Sequence, residues 1–406
     1  MRVGRTWRVA ALGGAFALAW VASCHAYSGD EGTAAENDAA VEGALADAGG
    51  GTDAGADADA TPACIPQPIV VSDAGESSMC NGMLVDLSGN PDHCGFCNHR
   101  CADGLCLQGH CAVVEVAAND AGIPDITGAD GDVYFSVFSP GIGIIGRYSP
   151  ASNDATTLGG FDAGGAGVTS ASWIKVGGGT AFVIANSIGV VGVPLDGGPS
   201  ALVANTPNSV SELAIDDGNI YWIDYGDGVH RRPLDADAST QYYVAPFSGS
   251  VSELAVDPKV VAFAVHEDAS APDPKTLHIR PVGGQEKVLP ALVGVRSIAL
   301  DEEYIYLGDT SGRVGRVPKS GAGTIVEPVT AIPVSQLVLA LAVDDTNVYF
   351  VTADNIYSSL SAIWQASKCG GTAHKLVDDN TYVRRLVSDG GYLYWPHSNA
   401  IARMSK

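Results

Sequence analysis

The clearest pattern of hydrophobic and polar positions is a repeat that begins at residue 113 and runs to the end of the chain. An apolar segment ending in Asp is followed by a short turn and an aromatic segment, as in Leu213–Asp216 with Ile220–Trp222. The central aromatic residues of the copies are Tyr134, Phe182, Tyr221, Phe263, Tyr306, Tyr349 and Tyr394. Seven copies about 43 residues apart are typical of four-stranded blades. The sequence therefore predicts an all-β chain whose main part is a seven-bladed β-propeller over residues 112–406.

The polar residues that recur in this repeat have structural explanations. Asp216, Asp301 and Asp344 follow the first strand of their copies, where an Asp side chain caps a turn by bonding to the backbone. Glycine pairs such as Gly283-Gly284 follow the third strand, where tight hairpins need positive φ angles. Because each copy carries the same groups, we interpret them as parts of a structural repeat, not as a phosphate loop, a metal site or a catalytic set.

The two ends of the repeat region are expected to pair with each other. The seventh copy stops after its third strand, at residues 401–406, and residues 112–117 before the first copy read Ala-Val-Val-Glu-Val-Ala. We predict that this segment is the missing fourth strand, since closure by strand exchange removes the exposed sheet edge.

The repeat resembles the broad group of bacterial secreted propellers with Asp-turn-Tyr-Trp blades and is distantly similar to NHL and YncE-type proteins. The resemblance covers residues 113–406 and implies the fold only. Propellers of this kind serve as binding platforms, scaffolds, lyases and lactonases.

A cluster of cysteines precedes the repeat, within residues 64–111. Its members are Cys64, Cys80, Cys94, Cys97, Cys101, Cys106 and Cys111. In an exported chain this density predicts a small module held by disulfides, because so few residues cannot build a sufficient core. A zinc site using Cys94 and Cys97 with nearby histidines is the alternative. Cys369 lies alone in the propeller, and two interpretations remain open: a disulfide to Cys64 or Cys80, or a free thiol.

Part of this module resembles the stigma-specific cysteine-rich family as it recurs in bacterial secreted lipoproteins. The likeness rests on Val85–Ser88, Asp92–Cys97 and Gly109–Cys111. Leu84 stands where that family has a cysteine, so one disulfide of the family pattern is missing. The resemblance implies an extracellular interaction or spacer module without enzymatic activity.

The N-terminus carries the features of an export signal. Three arginines within residues 1–8 precede an apolar run from Val9 to Ala22, and the run ends in Val21-Ala22-Ser23-Cys24. This ending resembles a bacterial lipobox, which implies cleavage after residue 23 and lipidation of Cys24; an ordinary signal peptide cut nearby, for example after Ala26, is the alternative. Residues 24–63 are rich in Ala, Gly and Asp and predict a disordered acidic linker. The protein is thus expected at the cell envelope, held by lipid at the outer membrane or cell surface.

Charge and motifs restrict the function. A net charge of −24 excludes nucleic acid as a partner, because no basic patch is available to displace counterions. No motif predicts a cofactor, a metal ion or a catalytic residue. His266 and His397 are candidates for the channel face, because each follows the aromatic strand of its copy, whereas His230 and His278 are predicted on blade surfaces. Two hypotheses follow: a non-catalytic module that binds an extracellular protein or carbohydrate, or a metal-assisted lyase or hydrolase at the propeller face.

Overall fold

The structure is a computed structural model that describes most of the chain from residue 77 to its end. The described ranges are 77–139, 141–162, 171–185, 188–206, 210–224, 228–234, 241–244, 250–266, 275–292, 294–321, 326–332, 336–356 and 358–406. They belong to one compact unit of the chain. The predicted signal peptide, the linker, Cys24 and Cys64 lie outside these ranges. None of the described segments forms a helix with the length and apolarity that crossing a membrane requires.

The cysteine module consists of two short hairpins and three disulfides. Its strands are β1 (Ser77–Cys80), β2 (Met83–Asp86), β3 (Cys106–Leu107) and β4 (His110–Cys111). Asn81-Gly82 joins the first pair with φ angles of 51° and 82°, the left-handed conformation that a two-residue hairpin turn requires. Disulfides join Cys80 to Cys97, Cys94 to Cys106, and Cys101 to Cys111. Since these six thiols are oxidised, none of them is available to bind zinc.

The remaining strands form seven four-stranded antiparallel blades. The chain first forms β5 (Val114–Ala118), which belongs to the last blade. Blade 1 contains β6 (Asp125–Ala129), β7 (Asp132–Ser139), β8 (Ile142–Ser149) and β9 (Asp154–Asp162). Blade 2 contains β10 (Ala171–Gly177), β11 (Thr180–Ala185), β12 (Gly189–Pro194) and β13 (Ala201–Asn205). Blade 3 contains β14 (Val210–Ile215), β15 (Asn219–Asp224), β16 (Gly228–Pro233) and β17 (Gln241–Val244).

The later blades follow the same order. Blade 4 contains β18 (Ser250–Val256), β19 (Val260–His266), β20 (Lys275–Pro281) and β21 (Lys287–Leu292). Blade 5 contains β22 (Ser297–Leu300), β23 (Tyr304–Gly308), β24 (Arg313–Pro318) and β25 (Glu327–Ala331). Blade 6 contains β26 (Leu337–Val343), β27 (Asn347–Ala353), β28 (Ser361–Ser367) and β29 (His374–Asp379). Blade 7 contains β30 (Val387–Asp389), β31 (Tyr392–His397) and β32 (Ala400–Ser405) together with β5.

The predicted closure is confirmed. Strand β5 pairs with β32, with Ala117 opposite Ile401 and Glu115 opposite Ala402. The first strand of each blade contacts the first strand of the next, from blade 1 to blade 7 and back to blade 1. These first strands, called inner strands below, therefore surround a central channel, and blade 7 is built from both ends of the repeat region.

Burial explains why the second strands are apolar over their whole length. Each blade is covered on both faces by its neighbours, so β15 and β27 are buried at almost every position, instead of alternating with solvent. Inner strands do alternate, as β26 shows, because one side of each strand faces the channel. Fourth strands such as β9 lie at the outer rim and are mostly exposed.

The cysteine module packs against the propeller between blades 6 and 7. Its cystines share a buried cluster with Leu376 and Trp395. The backbone N–H of Ala102 donates to Ser405 Oγ at 2.8 Å, and Asp103 pairs with Arg403 at 2.9 Å. The module and the closing blade therefore stabilise each other.

Cys369 is disulfide-bonded, so the free-thiol interpretation is wrong. The six described cysteines of the module pair among themselves, which excludes Cys80 as its partner. The partner of Cys369 lies outside the described residues.

Candidate functional site: the mouth of the propeller channel

The recurrent Asp residues cap turns, as predicted. Oδ1 of Asp301 accepts hydrogen bonds from the backbone N–H groups of Glu303 and Tyr304 at 2.8 and 2.7 Å. Its Oδ2 accepts from the hydroxyl of Tyr306 at 2.9 Å and pairs with Lys368 of the next blade at 2.5 Å. The sequence pattern indicated the turn, whereas the contacts to the tyrosine and the lysine are new.

This arrangement, called the Asp–Lys clamp below, joins three successive pairs of blades. Asp257 of blade 4 pairs with Lys319, and Asp344 of blade 6 pairs with Lys406 at 3.1 Å. Each lysine directly follows the third strand of the next blade. The recurrent Asp is thus a contact between blades, and its partners leave it no role in the channel.

The inner strands carry a bulge at their channel entrance in four blades. The pairing with the second strand shifts between Ser172 and Lys175, Val210 and Glu212, Val251 and Glu253, and Val338 and Ala340. A bulge reorients side chains and commonly stands beside a binding site. In these four blades and in the other three, two residues near the start of the inner strand lie at the channel entrance.

These residues form two rings at one end of the channel. The outer one, called the mouth ring, consists of Pro124, Trp173, Ser211, Ser252, Arg296, Leu339 and Arg384. The inner ring consists of Asp125, Lys175, Glu212, Glu253, Ser297, Ala340 and Arg385. The mouth encloses about 270 Å³ and leads to a channel cavity of about 400 Å³.

The inner ring connects neighbouring blades through its carboxylates. Asp125 accepts the backbone N–H of Ile174 at 2.8 Å and pairs with Arg385 at 3.0 Å. Glu212 accepts the backbone N–H of Leu254 at 2.8 Å. The charged groups of this ring therefore hold blades 7, 1 and 2, and blades 3 and 4, in position.

Burial in the channel shifts the pKa of two titratable groups, Glu212 and Lys175. Burial raises the pKa of Glu212 to about 7, although Arg385 and Lys175 favour the carboxylate. Burial lowers the pKa of Lys175, and the charge of Arg385 acts in the same direction. Perturbed groups in a concave site are typical of functional sites, although structural ion pairs produce the same shifts.

The mouth ring, in contrast, presents polar atoms that the described residues leave without a hydrogen-bond partner. These atoms are Ser211 Oγ, Ser252 Oγ and Arg296 Nε, all buried. The Arg384 side chain is exposed at the same place. A buried donor without a partner costs free energy, so three of them beside one cavity favour a ligand at this place.

Trp173 adds an aromatic face to the mouth. Its φ of 59° is left-handed, which costs a tryptophan about 1–3 kcal/mol. The Arg385 guanidinium lies 3.6 Å from the centre of its ring and holds it there. Strained residues persist only where the surrounding structure holds them in place, and they cluster at binding sites.

The two histidine candidates from the sequence lie at the mouth end of the propeller but outside the described lining of the mouth and channel. His266 ends β19 and is opposite Ser250, at the start of an inner strand. His397 Nδ1 lies 2.9 Å from Asp379 Oδ2, and Nε2 lies 3.9 Å from Glu115. Asp379 also accepts the indole N–H of Trp395 at 2.6 Å, so His397 belongs to a contact between blades 6 and 7.

The predicted surface position of His230 and His278 is wrong, because both are buried. His230 stacks on Trp222 with ring centres 5.5 Å apart, and His278 stacks on Phe263 at 4.9 Å. Each ring lies opposite the aromatic residue of the second strand, on the side where the preceding blade packs.

Within the described ranges, one set of three or more His, Cys, Asp or Glu side chains is close enough to share a metal ion. It consists of Cys94, Cys101 and Cys106, which are all in disulfides. The described lining of the channel and its mouth provides carboxylates and arginines but no histidine. This arrangement can bind and orient a polar ligand.

The sequence did contain a signal for the mouth. Val210-Ser-Glu-Leu213 and Val251-Ser-Glu-Leu254 are identical, and each ends three residues before a recurrent Asp. The aromatic markers locate the second strands, and they carry no information about which residues of the inner strands lie at the mouth.

Seven antiparallel blades around a channel define the chain as a seven-bladed β-propeller. The RRP9 WD40 repeats match with a TM-score of 0.54 and 13% identity, over 73% of this chain and 98% of that one. U3-55K matches with a TM-score of 0.55 and 14% identity, over 72% and 98%. PorZ, a bacterial surface component of the type-IX secretion system of Porphyromonas gingivalis, matches with a TM-score of 0.51 and 14% identity, over 71% and 47%. At these identities the likeness concerns the fold alone.

No protein-family model and no curated protein matches the sequence. The resemblances of the cysteine module and of the blade pattern to named families therefore stay predictions, as does the lipobox.

Proposed function

We propose that this protein is a non-catalytic binding module whose propeller takes a hydroxyl-rich ligand bearing one carboxylate at the channel mouth, such as the end of an acidic carbohydrate. The observation that carries this is the set of unpartnered buried donors, Ser211 Oγ, Ser252 Oγ and Arg296 Nε, around one cavity. Hydroxyls suit the serines, a carboxylate suits the arginines, and Trp173 offers a face on which a sugar ring can pack.

The charge of the protein limits the size of such a ligand. At −24 the chain repels polyanions over long distances, while at the mouth the arginines Arg296, Arg384 and Arg385 outnumber the carboxylates Asp125 and Glu253. A ligand with a single carboxylate can pair with the arginines of the mouth and is repelled less by the whole protein than a polyanion is.

We further propose that Cys24 carries lipid and that residues 24–63 hold the folded part away from the envelope. The support is the apolar run that ends in Val21-Ala22-Ser23-Cys24, followed by an acidic linker without Lys or Arg. Mass spectrometry of the purified protein tests this: a diacylglyceryl-modified N-terminal Cys24 is expected, and an unmodified N-terminus beyond residue 24 would refute it.

The ligand proposal is tested by titrating the protein with glucuronic and galacturonic acid and with glucose and galactose. We expect the acids to bind more tightly, because only they satisfy the arginines. Ser211→Ala with Ser252→Ala, and separately Arg384→Ala, should each weaken binding at least about tenfold, since each removes a hydrogen-bonding group. Lys375→Ala on the outer strand β29 is the control. Unchanged binding by the mouth variants, or equal binding of acids and neutral sugars, would contradict the proposal.

A further inference from the structure

At the junction of blades 3 and 4 the Asp–Lys clamp has its Asp but lacks its lysine. In blades 2 to 7 the backbone N–H of the residue after the third strand donates to the turn of the preceding hairpin, always at 2.9 Å; the donors are Leu195, Leu234, Val282, Lys319, Lys368 and Lys406. Val282 therefore occupies the position of the clamp lysine in blade 4. Its side chain cannot pair with Asp216 of blade 3, and it is 59% exposed.

The rest of the clamp is present in blade 3. The Tyr221 hydroxyl donates to Asp216 Oδ2 at 2.8 Å, just as Tyr306 donates to Asp301 at 2.9 Å. The strand register also places Arg231 opposite Tyr221, as it places Arg316 opposite Tyr306. Blades 3 and 5 thus share the carboxylate, the phenol and the guanidinium.

In blade 5 a lysine completes this set. Lys368 Nζ lies 2.5 Å from Asp301 and 5.7 Å from the centre of the Tyr306 ring. The ammonium is thus held by a carboxylate and an aromatic face together, although Arg316 stands beside the same tyrosine. An arginine at this position therefore does not prevent an ammonium from binding.

In blade 3 the corresponding place is an open cleft of about 640 Å³, lined by Asp216, Tyr221, Tyr243, Arg280 and Val282 among others. Tyr243 stands edge-on to Tyr221 with ring centres 5.3 Å apart and adds a second aromatic wall. Arg280 is engaged, because it donates to the Tyr243 carbonyl at 2.7 Å. Asp217 adds a further carboxylate to the lining, which offsets the positive charge of the arginines.

We propose that this cleft between blades 3 and 4 binds the lysine side chain of a partner protein, whose ammonium takes the place that Lys319, Lys368 and Lys406 fill at the next three junctions. The net charge of −24 favours a cationic partner. The cleft shares no lining residue with the channel mouth, so its test is independent of the ligand proposed there.

The junction between blades 7 and 1 also lacks the lysine, because Pro150 follows the third strand of blade 1. There, however, Arg403 pairs with Asp103 of the cysteine module at 2.9 Å and donates to the Tyr148 hydroxyl at 2.9 Å. Residues of the chain itself thus occupy the junction between blades 7 and 1. The proposal therefore concerns the junction of blades 3 and 4 only.

The probe is Nα-acetyl-lysine methylamide, titrated into the mature full-length protein and followed by NMR shifts of the protein. Its Nε-acetylated form is the neutral control, and butylamine tests whether the ammonium alone is sufficient. We expect the lysine probe and butylamine to bind and the acetylated form to bind at least about tenfold more weakly.

Three variants locate the binding. Val282→Lys supplies the missing lysine in the chain and should weaken probe binding at least about tenfold, and Asp216→Asn should do the same by removing the carboxylate. Val288→Lys adds the same charge at an exposed position of blade 4 and should leave binding unchanged. If Val282→Lys and Asp216→Asn bind the probe as the parent protein does, or if the acetylated probe binds equally, the proposal is wrong.

Discussion

The Asp–Lys clamp makes a quantitative prediction for Lys368→Met. Lys368 pairs with Asp301 across the junction of blades 5 and 6, and the two side chains are only 15% and 14% exposed. Methionine preserves the length of the side chain and removes its charge. The substitution therefore leaves a nearly buried carboxylate without its cation, while the packing of the aliphatic stem stays similar.

The burial of the pair sets how much free energy of unfolding the substitution costs. An exposed ion pair contributes about 0–1 kcal/mol, whereas removing one partner of a fully buried pair costs about 3–5 kcal/mol. Because Asp301 keeps its bonds to Tyr304, Glu303 and Tyr306, we expect about 2 kcal/mol for Lys368→Met. The control is Lys375→Met in the same blade, where Lys375 and Asp378 pair at 2.8 Å but are 41% and 69% exposed; its cost should be below about 0.5 kcal/mol.

The effect must also depend on pH. Burial of Asp301 opposes ionisation, but the bonds from Lys368 and from the Tyr304 and Glu303 backbone outweigh it, so the pKa of Asp301 lies below its ordinary value. A lowered carboxyl pKa gives stability that is complete above the unfolded pKa of about 3.9 and is lost as the pH falls through the folded pKa. The difference between the parent protein and Lys368→Met should thus be constant near neutral pH and shrink below about pH 4.

Urea unfolding of the parent protein and of both variants, at pH 7 and over a series down to pH 3, measures these free energies. Equal costs for Lys368→Met and Lys375→Met would refute the argument from burial. A cost for Lys368→Met that stays the same down to pH 3 would refute the role of the ionised Asp301.

Three further predictions concern other parts of the molecule. Burial raises the pKa of Glu212 to about 7, so its contribution to stability is complete below about pH 4.3 and is lost as the pH rises through 7; Glu212→Gln should remove that loss in urea unfolding, and an unchanged pH profile would contradict it. Ile401 is fully buried in the closing blade, so Ile401→Ala should cost about 3 kcal/mol, against less than about 1 for the 53% exposed Ile142; similar costs would show that the closing blade is not packed as described. Thiol titration of the denatured, unreduced Cys369→Ser variant should find one thiol more than in the parent protein, and an unchanged count would mean that Cys369 forms no disulfide.

The fold was predictable because each blade repeats the same local chemistry. A short turn between an apolar strand and an aromatic strand, capped by Asp in blades 3 to 6, specifies one hairpin, and seven hairpins at a regular spacing specify the propeller. The closing strand was predictable for the same reason, since blade 7 lacked a strand and residues 112–117 had no other place. One marker was misaligned: the residue equivalent to Tyr221 in blade 4 is Ala262, because Ala262 lies opposite Ala255 as Tyr221 lies opposite Ala214.

The mouth of the channel was not predictable from the same pattern. A bulge inserts one residue into a strand, and the alternation of apolar and polar positions does not reveal which side chain it reorients. The clamp lysines were missed for a different reason. Lys368 is 67 positions after Asp301 in the chain, and a periodic pattern within one blade carries no information about contacts to the next.

The repeat itself separates structural positions from functional ones. The position of Asp301 holds Asp in blades 3 to 7, where it belongs to the turn between the first two strands. The mouth ring, near the start of the inner strands, holds Pro, Trp, Ser, Ser, Arg, Leu and Arg. Packing between equivalent blades does not require side chains of such different chemistry at the mouth. An asymmetric ligand on the channel axis does require them, because each blade touches a different part of the ligand. The same logic applies to Val282, because the equivalent position holds lysine at the next three junctions, whereas here a cleft lies beside the carboxylate of Asp216.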